Sequence, residues 1–144
     1  MTANDDWPEA SNPNASNANA GVRTCVLVLG MHRSGTSALT RLLSLAGAAL
    51  PLRLMPAGPG NESGHWEPQH LVDCHDRLLD AMGSSWHDWT AVDLARLSPE
   101  QLAATKSEIK KILLQDYPDD GKGGLVVVKD PRICRFAPLF MDIV

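Results

Sequence analysis

The sequence predicts an α/β fold in which a parallel sheet is flanked by helices. Two short apolar runs, Thr24–Gly30 and Leu125–Lys129, are rich in β-branched residues and end abruptly, as strands covered on both faces do. Between them lie three stretches whose apolar residues recur at helical spacing. Strands separated by helices pair in parallel, which brings both carboxyl ends to one edge, the edge where open α/β sheets bind ligands.

The totals are compatible with one such domain. A chain of 144 residues has room for a single core, and 44% hydrophobic with 21% charged residues is a globular balance. Residues 1–21 are mostly Asn, Ala, Pro and Ser, too poor in large aliphatics to offset the entropy of ordering. They are expected to form a disordered tail before a domain over residues 22–144. A net charge of -4 removes the broad positive field of a nucleic-acid binder, so no nucleic-acid partner is expected. No apolar run reaches bilayer length, no signal-peptide pattern opens the chain, and Cys25, Cys74 and Cys134 match neither a disulfide framework nor a zinc motif. A cytoplasmic protein with reduced thiols and no membrane partner is the expectation.

The elements follow in order. After Gly30, the residues Ala38, Leu39, Leu42, Leu43, Leu45 and Ala46 mark a helix that Gly47 stops. Residues 48–68 hold Pro51, Pro56, Gly58, Pro59, Gly60 and Gly64, and read as a long surface loop of the kind that often carries function. A second helix begins near Pro68, turns Leu71, Cys74 or His75, Leu78 and Met82 inward, and stops at Gly83. Ser98-Pro-Glu-Gln101 is a capping sequence that opens a third helix running to about Asp116. Gly121 to Gly124 turns the chain into the second strand, which Asp130-Pro-Arg132 terminates. The apolar run Phe136–Val144 reads as a helix still in progress, so a sheet incomplete at its carboxyl end is expected, with another chain or an oligomer completing it.

The chemistry concentrates between the first strand and the first helix. Gly30-Met-His-Arg-Ser-Gly-Thr-Ser37 has the glycine spacing of a P-loop, in which successive backbone N–H groups and a helix amino terminus surround a phosphate. Nucleoside-triphosphate versions place Lys after the second Gly, and Thr36 stands there. The cation inside the loop is Arg33, which faces Lys129 to Arg132 across the predicted crevice.

Gly30 to Leu39 resembles the 5′-phosphosulfate loop of sulfotransferases, above all bacterial members with a Met-His-Arg-Ser-Gly-Thr-Ser loop. Gly64-His-Trp-Glu-Pro68 and Val128-Lys-Asp-Pro-Arg132 are similar to further segments of that group, and the similarity runs from about Cys25 to the last residue. The resemblance implies a P-loop type fold and transfer of a sulfuryl group from 3′-phosphoadenosine-5′-phosphosulfate (PAPS) to a hydroxyl or amine, on a small-molecule or carbohydrate acceptor and without a catalytic metal. The amides of Arg33, Ser34, Gly35, Thr36 and Ser37, with the Ser34, Thr36 and Ser37 hydroxyls, are then expected to hold the 5′-phosphate. Arg33, matching the loop Lys of other sulfotransferases, neutralises the leaving oxygen, and Lys129 contacts the sulfuryl oxygens unless it is spent on an ion pair with Asp130 or another acid.

A hydroxyl acceptor also wants a base, for which Glu67 leads His65, Asp73 and His70; capping the helix at Pro68 is the competing role for Glu67. Trp66, Trp86 and Trp89 are expected as core residues or acceptor-pocket walls. The later strand and helix that hold the 3′-phosphate in that family have no counterpart here, because Ala137 stands where a Ser is needed. Two other readings therefore stay open: a P-loop nucleotide kinase or hydrolase, and a non-catalytic phosphate-binding remnant.

Overall fold

The computed structural model describes residues 23–58, 61–121 and 123–144. The tail expected over residues 1–21 lies outside them. The elements are β1 (Arg23–Val28), α1 (Thr36–Leu45), α2 (Gln69–Ala81), a 3-10 turn (Leu94–Arg96), α3 (Pro99–Asp116), β2 (Gly124–Lys129) and α4 (Ile133–Phe140).

β1 and β2 pair in parallel from Arg23 opposite Gly124 to Val28 opposite Lys129. On its other edge β2 meets the extended chain at Ala49, whose N–H donates to the Leu125 carbonyl (2.8 Å) and whose carbonyl accepts from the Val127 N–H (3.0 Å). This places β2 in the middle. Alternation then sorts its side chains: Val126 and Val128 join Leu71, Leu79, Ile109, Phe136 and Phe140 in the main core, while Val127 packs with Val28 and Ala48 beside Leu43 of α1. The result is helices on both faces of a narrow parallel sheet.

The helix ends form for local reasons. Ser98 Oγ accepts from the Gln101 N–H at 3.2 Å while Gln101 Oε1 accepts from the Ser98 N–H at 2.8 Å, so the predicted capping box of α3 is present. Gly47 and Gly83, at φ 102° and 72°, end α1 and α2 in the left-handed conformation that other residues resist.

Three expectations are modified. β1 is not covered on both faces: only Val28 is buried, because β1 is the outer strand and β2 the central one. Of the leucines that mark α1, Leu43 packs beside Val28, Ala48 and Val127, but the others do not enter a core. Thr36 and Thr40 are buried, and Leu39, Leu42 and Leu45 stay 49%, 63% and 66% exposed, since among the described residues no further strand extends the sheet to cover them. The last helix starts at Ile133, before the expected Phe136, and ends at Phe140. Among the described residues no helix is long and apolar enough to cross a membrane, and all three cysteines are free.

Candidate functional site

The parallel register sets Val28 beside Lys129, so the loop leaving β1 and the corner leaving β2 are neighbours. Gly30 is required by packing: a Cβ there would lie 2.6 Å from Thr36 Cγ2 and 2.8 Å from Ser34 Oγ. Its N–H donates to Cys134 Sγ at 3.1 Å, which ties the loop to α4. The chain then takes left-handed values at Arg33 (φ 62°) and Gly35 (φ 86°) before entering α1 at Thr36. For a non-glycine residue such a φ costs on the order of 1–3 kcal/mol and persists only where the surroundings impose it. The first N–H groups of α1 have no acceptor within the helix and carry the positive end of its dipole. Arg33 is exposed, with no side-chain partner among the described residues.

The facing wall is built from charge. Lys129, 3% exposed, pairs closely with Glu67 Oε1 and also donates to Ser37 Oγ (3.3 Å) and the His65 carbonyl (3.2 Å). Ser37 Oγ donates to that same carbonyl at 3.2 Å. Glu67 Oε2 lies 3.6 Å from Arg132 Nη1, and Arg132 is held in turn by Asp130 (2.9 Å) and Asp76 (2.6 Å). The second Asp130 oxygen meets His75 Nδ1 at 2.7 Å, with both side chains fully buried. Burial by itself raises the Asp130 carboxyl pKa, but His75 and Arg132 outweigh it and hold the group at about 2. Consecutive residues of α2, His75 and Asp76, thus clamp the corner that follows Lys129.

Between the two walls lies an open cleft of about 820 Å³, within the usual size for ligand sites. Its charged lining residues among the described ones are Arg33, Arg41 and Lys129 against Glu67, a local positive excess in an acidic chain. Trp66 and Trp86 also line it. Trp86 packs edge-on against His32 at 4.9 Å and accepts a contact from His32 Nε2 at its carbonyl (3.1 Å). Arg135 fixes the strap carrying Trp86 by donating to Ser84 Oγ, the Ser85 carbonyl and the Thr90 carbonyl at 2.8–2.9 Å.

Of the residues singled out from sequence, Arg33, Gly35, Thr36, Ser37, Glu67 and Lys129 line this cleft together. Ser34 is adjacent but does not take the expected role: its hydroxyl (2.6 Å) and its N–H (3.3 Å) both donate to the Met31 carbonyl, closing a turn within the loop. The acid that Lys129 meets is Glu67 rather than Asp130, and Glu67 is buried in that pair; Pro68 takes the cap position of α2 without a side-chain cap bond. Of the other base candidates, His65 lines the cleft, whereas His70 pairs with Asp116 (2.8 Å) and Asp73 accepts from Gln69 (2.7 Å) elsewhere on α2. Trp89 stands 89% exposed and does not line the cleft. Sequence reasoning missed Arg41, which also lines the cleft. Its spacing of four from Ser37, one face of one helix, was the available signal.

No protein-family model matches the chain, and no curated protein or solved structure matches it.

Proposed function

We propose that the cleft binds PAPS and that the protein transfers its sulfuryl group to a hydroxyl or amine of a small-molecule or carbohydrate acceptor. The observation that carries this reading is the loop Gly30–Ser37, bent through left-handed Arg33 and Gly35 onto the amino terminus of α1, with a buried lysine reaching its last residue, Ser37, in a ligand-sized cleft. A P-loop type fold, incomplete beyond its narrow sheet and completed by further chain or by another subunit, accords with the leucines left uncovered on α1. A cytoplasmic setting goes with it.

Sulfuryl transfer needs the attacking oxygen, the sulfur and the leaving oxygen in line, so positioning and charge stabilisation supply most of the rate. The acceptor oxygen forms a bond to sulfur, the bond from sulfur to the bridging oxygen breaks, and the electron pair leaves with adenosine 3′,5′-bisphosphate. Amides of Arg33, Gly35, Thr36 and Ser37 hold the 5′-phosphate, and the Arg33 guanidinium neutralises the bridging oxygen. Lys129 passes from Glu67 to the sulfuryl oxygens; Glu67, still braced by Arg132, then has an oxygen free to take the acceptor proton. The reading assigns no role to a metal ion. A kinase or hydrolase reading draws less support, because the position of its phosphate-binding Lys is a buried Thr36.

Calorimetric titration tests this. Adenosine 3′,5′-bisphosphate is expected to bind without magnesium and more tightly than ATP with magnesium, and Arg33→Ala should weaken it at least about tenfold, the worth of one charge-assisted contact. Tighter binding of magnesium-ATP would transfer support to the kinase reading. Absence of any nucleotide binding would leave a remnant without turnover.

A further inference from the structure

The cleft holds a second cation whose placement is as deliberate as that of Lys129. Arg41 lies four residues beyond Ser37 on the same face of α1, and both line the cleft. Its guanidinium carbon sits 4.8 Å from the centroid of the Trp66 ring, a cation–π arrangement. Trp66 takes φ 59°, a backbone value that a bulky residue adopts only when something imposes it. Consecutive residues of one loop therefore hold the two cations: Trp66 carries Arg41 on its ring, and Glu67 carries Lys129 on its carboxylate.

The two cations differ in what remains available. Lys129 is buried among three oxygen partners. Arg41 is exposed; one nitrogen contacts Ser44 Oγ at 3.2 Å, and no carboxylate pairs with it among the described residues. A cation held over an indole face is attracted by the ring's electrons and spends none of its N–H donors on it, which leaves those donors for a planar or tetrahedral oxyanion.

From these placements we propose that Arg41, held over the Trp66 ring, forms a second anion subsite, so that the ligand of this cleft carries two anionic groups. The inference rests on the reading of the loop as the first phosphate site. Thr36 and Arg41 are five residues apart, about 7.5 Å along a helix axis, so the second anion lies within one small ligand's length of the first. Two sources share this chemistry: the 3′-phosphate of the nucleotide, or an acidic group on the acceptor.

The test compares wild-type protein with Arg41→Gln, an exposed substitution, by calorimetry. The probes are adenosine 3′,5′-bisphosphate, adenosine 5′-monophosphate and, on protein saturated with the bisphosphate, glucuronic acid against glucose. If the nucleotide supplies the second anion, the bisphosphate binds wild type at least about tenfold more tightly than the monophosphate, and Arg41→Gln abolishes that preference while leaving monophosphate affinity unchanged. If the acceptor supplies it, the nucleotides bind alike and the preference for glucuronic acid over glucose disappears in Arg41→Gln. Monophosphate binding with every preference unaltered by Arg41→Gln overturns the subsite and spares the loop. Binding of neither nucleotide to wild type overturns the loop reading and the subsite with it.

Discussion

Replacing Glu67 by Gln isolates the ion pair on which the facing wall depends. The side chains of Glu67 and Lys129 are 5% and 3% exposed, so the substitution leaves an ammonium inside the protein with only neutral partners: Ser37 Oγ, the His65 carbonyl and the new amide. Removing one member of a buried pair typically costs about 3–5 kcal/mol. Arg132 keeps Asp76 and Asp130, so its loss of Glu67 adds little, and the neutral acceptors place the expectation near the lower end, about 3 kcal/mol. Urea denaturation reads this directly, and thermal melting should fall by roughly 10 °C for a domain of this size. The double variant Glu67→Leu with Lys129→Met removes both charges and should return to within about 1 kcal/mol of wild type. If Glu67→Gln costs less than about 1 kcal/mol, or if the double variant equals the sum of Glu67→Leu and Lys129→Met made singly, the two groups are not an energetically coupled buried pair.

Two further outcomes follow from local geometry and charge. Gly30→Ala drives a methyl group against Thr36 and Ser34, and should lower stability by about 1–3 kcal/mol and eliminate bisphosphate binding; wild-type binding in that variant would show that the loop tolerates a different path. Because the Asp130 pKa is depressed to about 2, below the unfolded value of about 3.9, the stability it contributes is present above pH 4 and is lost as pH falls from about 4 toward 2, an effect on the order of 2 kcal/mol. Equilibrium unfolding across that range should show a steep acid limb in wild type and a flatter one in Asp130→Asn, and parallel limbs would remove Asp130 from the acid transition.

Much of the framework was legible because its signals are local. The capping box at Ser98 and Gln101, the stop glycines at 47 and 83, and the turn out of Lys129 each depend on a few adjacent residues whose backbone preferences act without the rest of the chain. The two strands and their parallel pairing followed from β-branched runs separated by helices. The leucines of α1 show where such reasoning fails. Helical periodicity locates an apolar face, but whether that face is covered depends on what packs beside it, and here Leu43 meets the sheet while Leu39, Leu42 and Leu45 stay exposed and Thr36 and Thr40 are buried. The same holds for β1, whose composition suits a central strand although it is the outer one.

Within the cleft the division is similar. Sequence alone determined the glycine-bracketed loop, the cation at its apex and the presence of Lys129 at the facing strand end, since these follow from residue type and order along a short stretch. Only the tertiary structure decided that Lys129 meets Glu67, that Asp130 turns to His75 and Arg132, and that Arg41 rests on Trp66. The physical reason is that charge pairing is a matter of distance in space. Which of several acids meets a given cation depends on how α2 and the 61–67 loop pack against the end of β2, and residue order does not encode those separations.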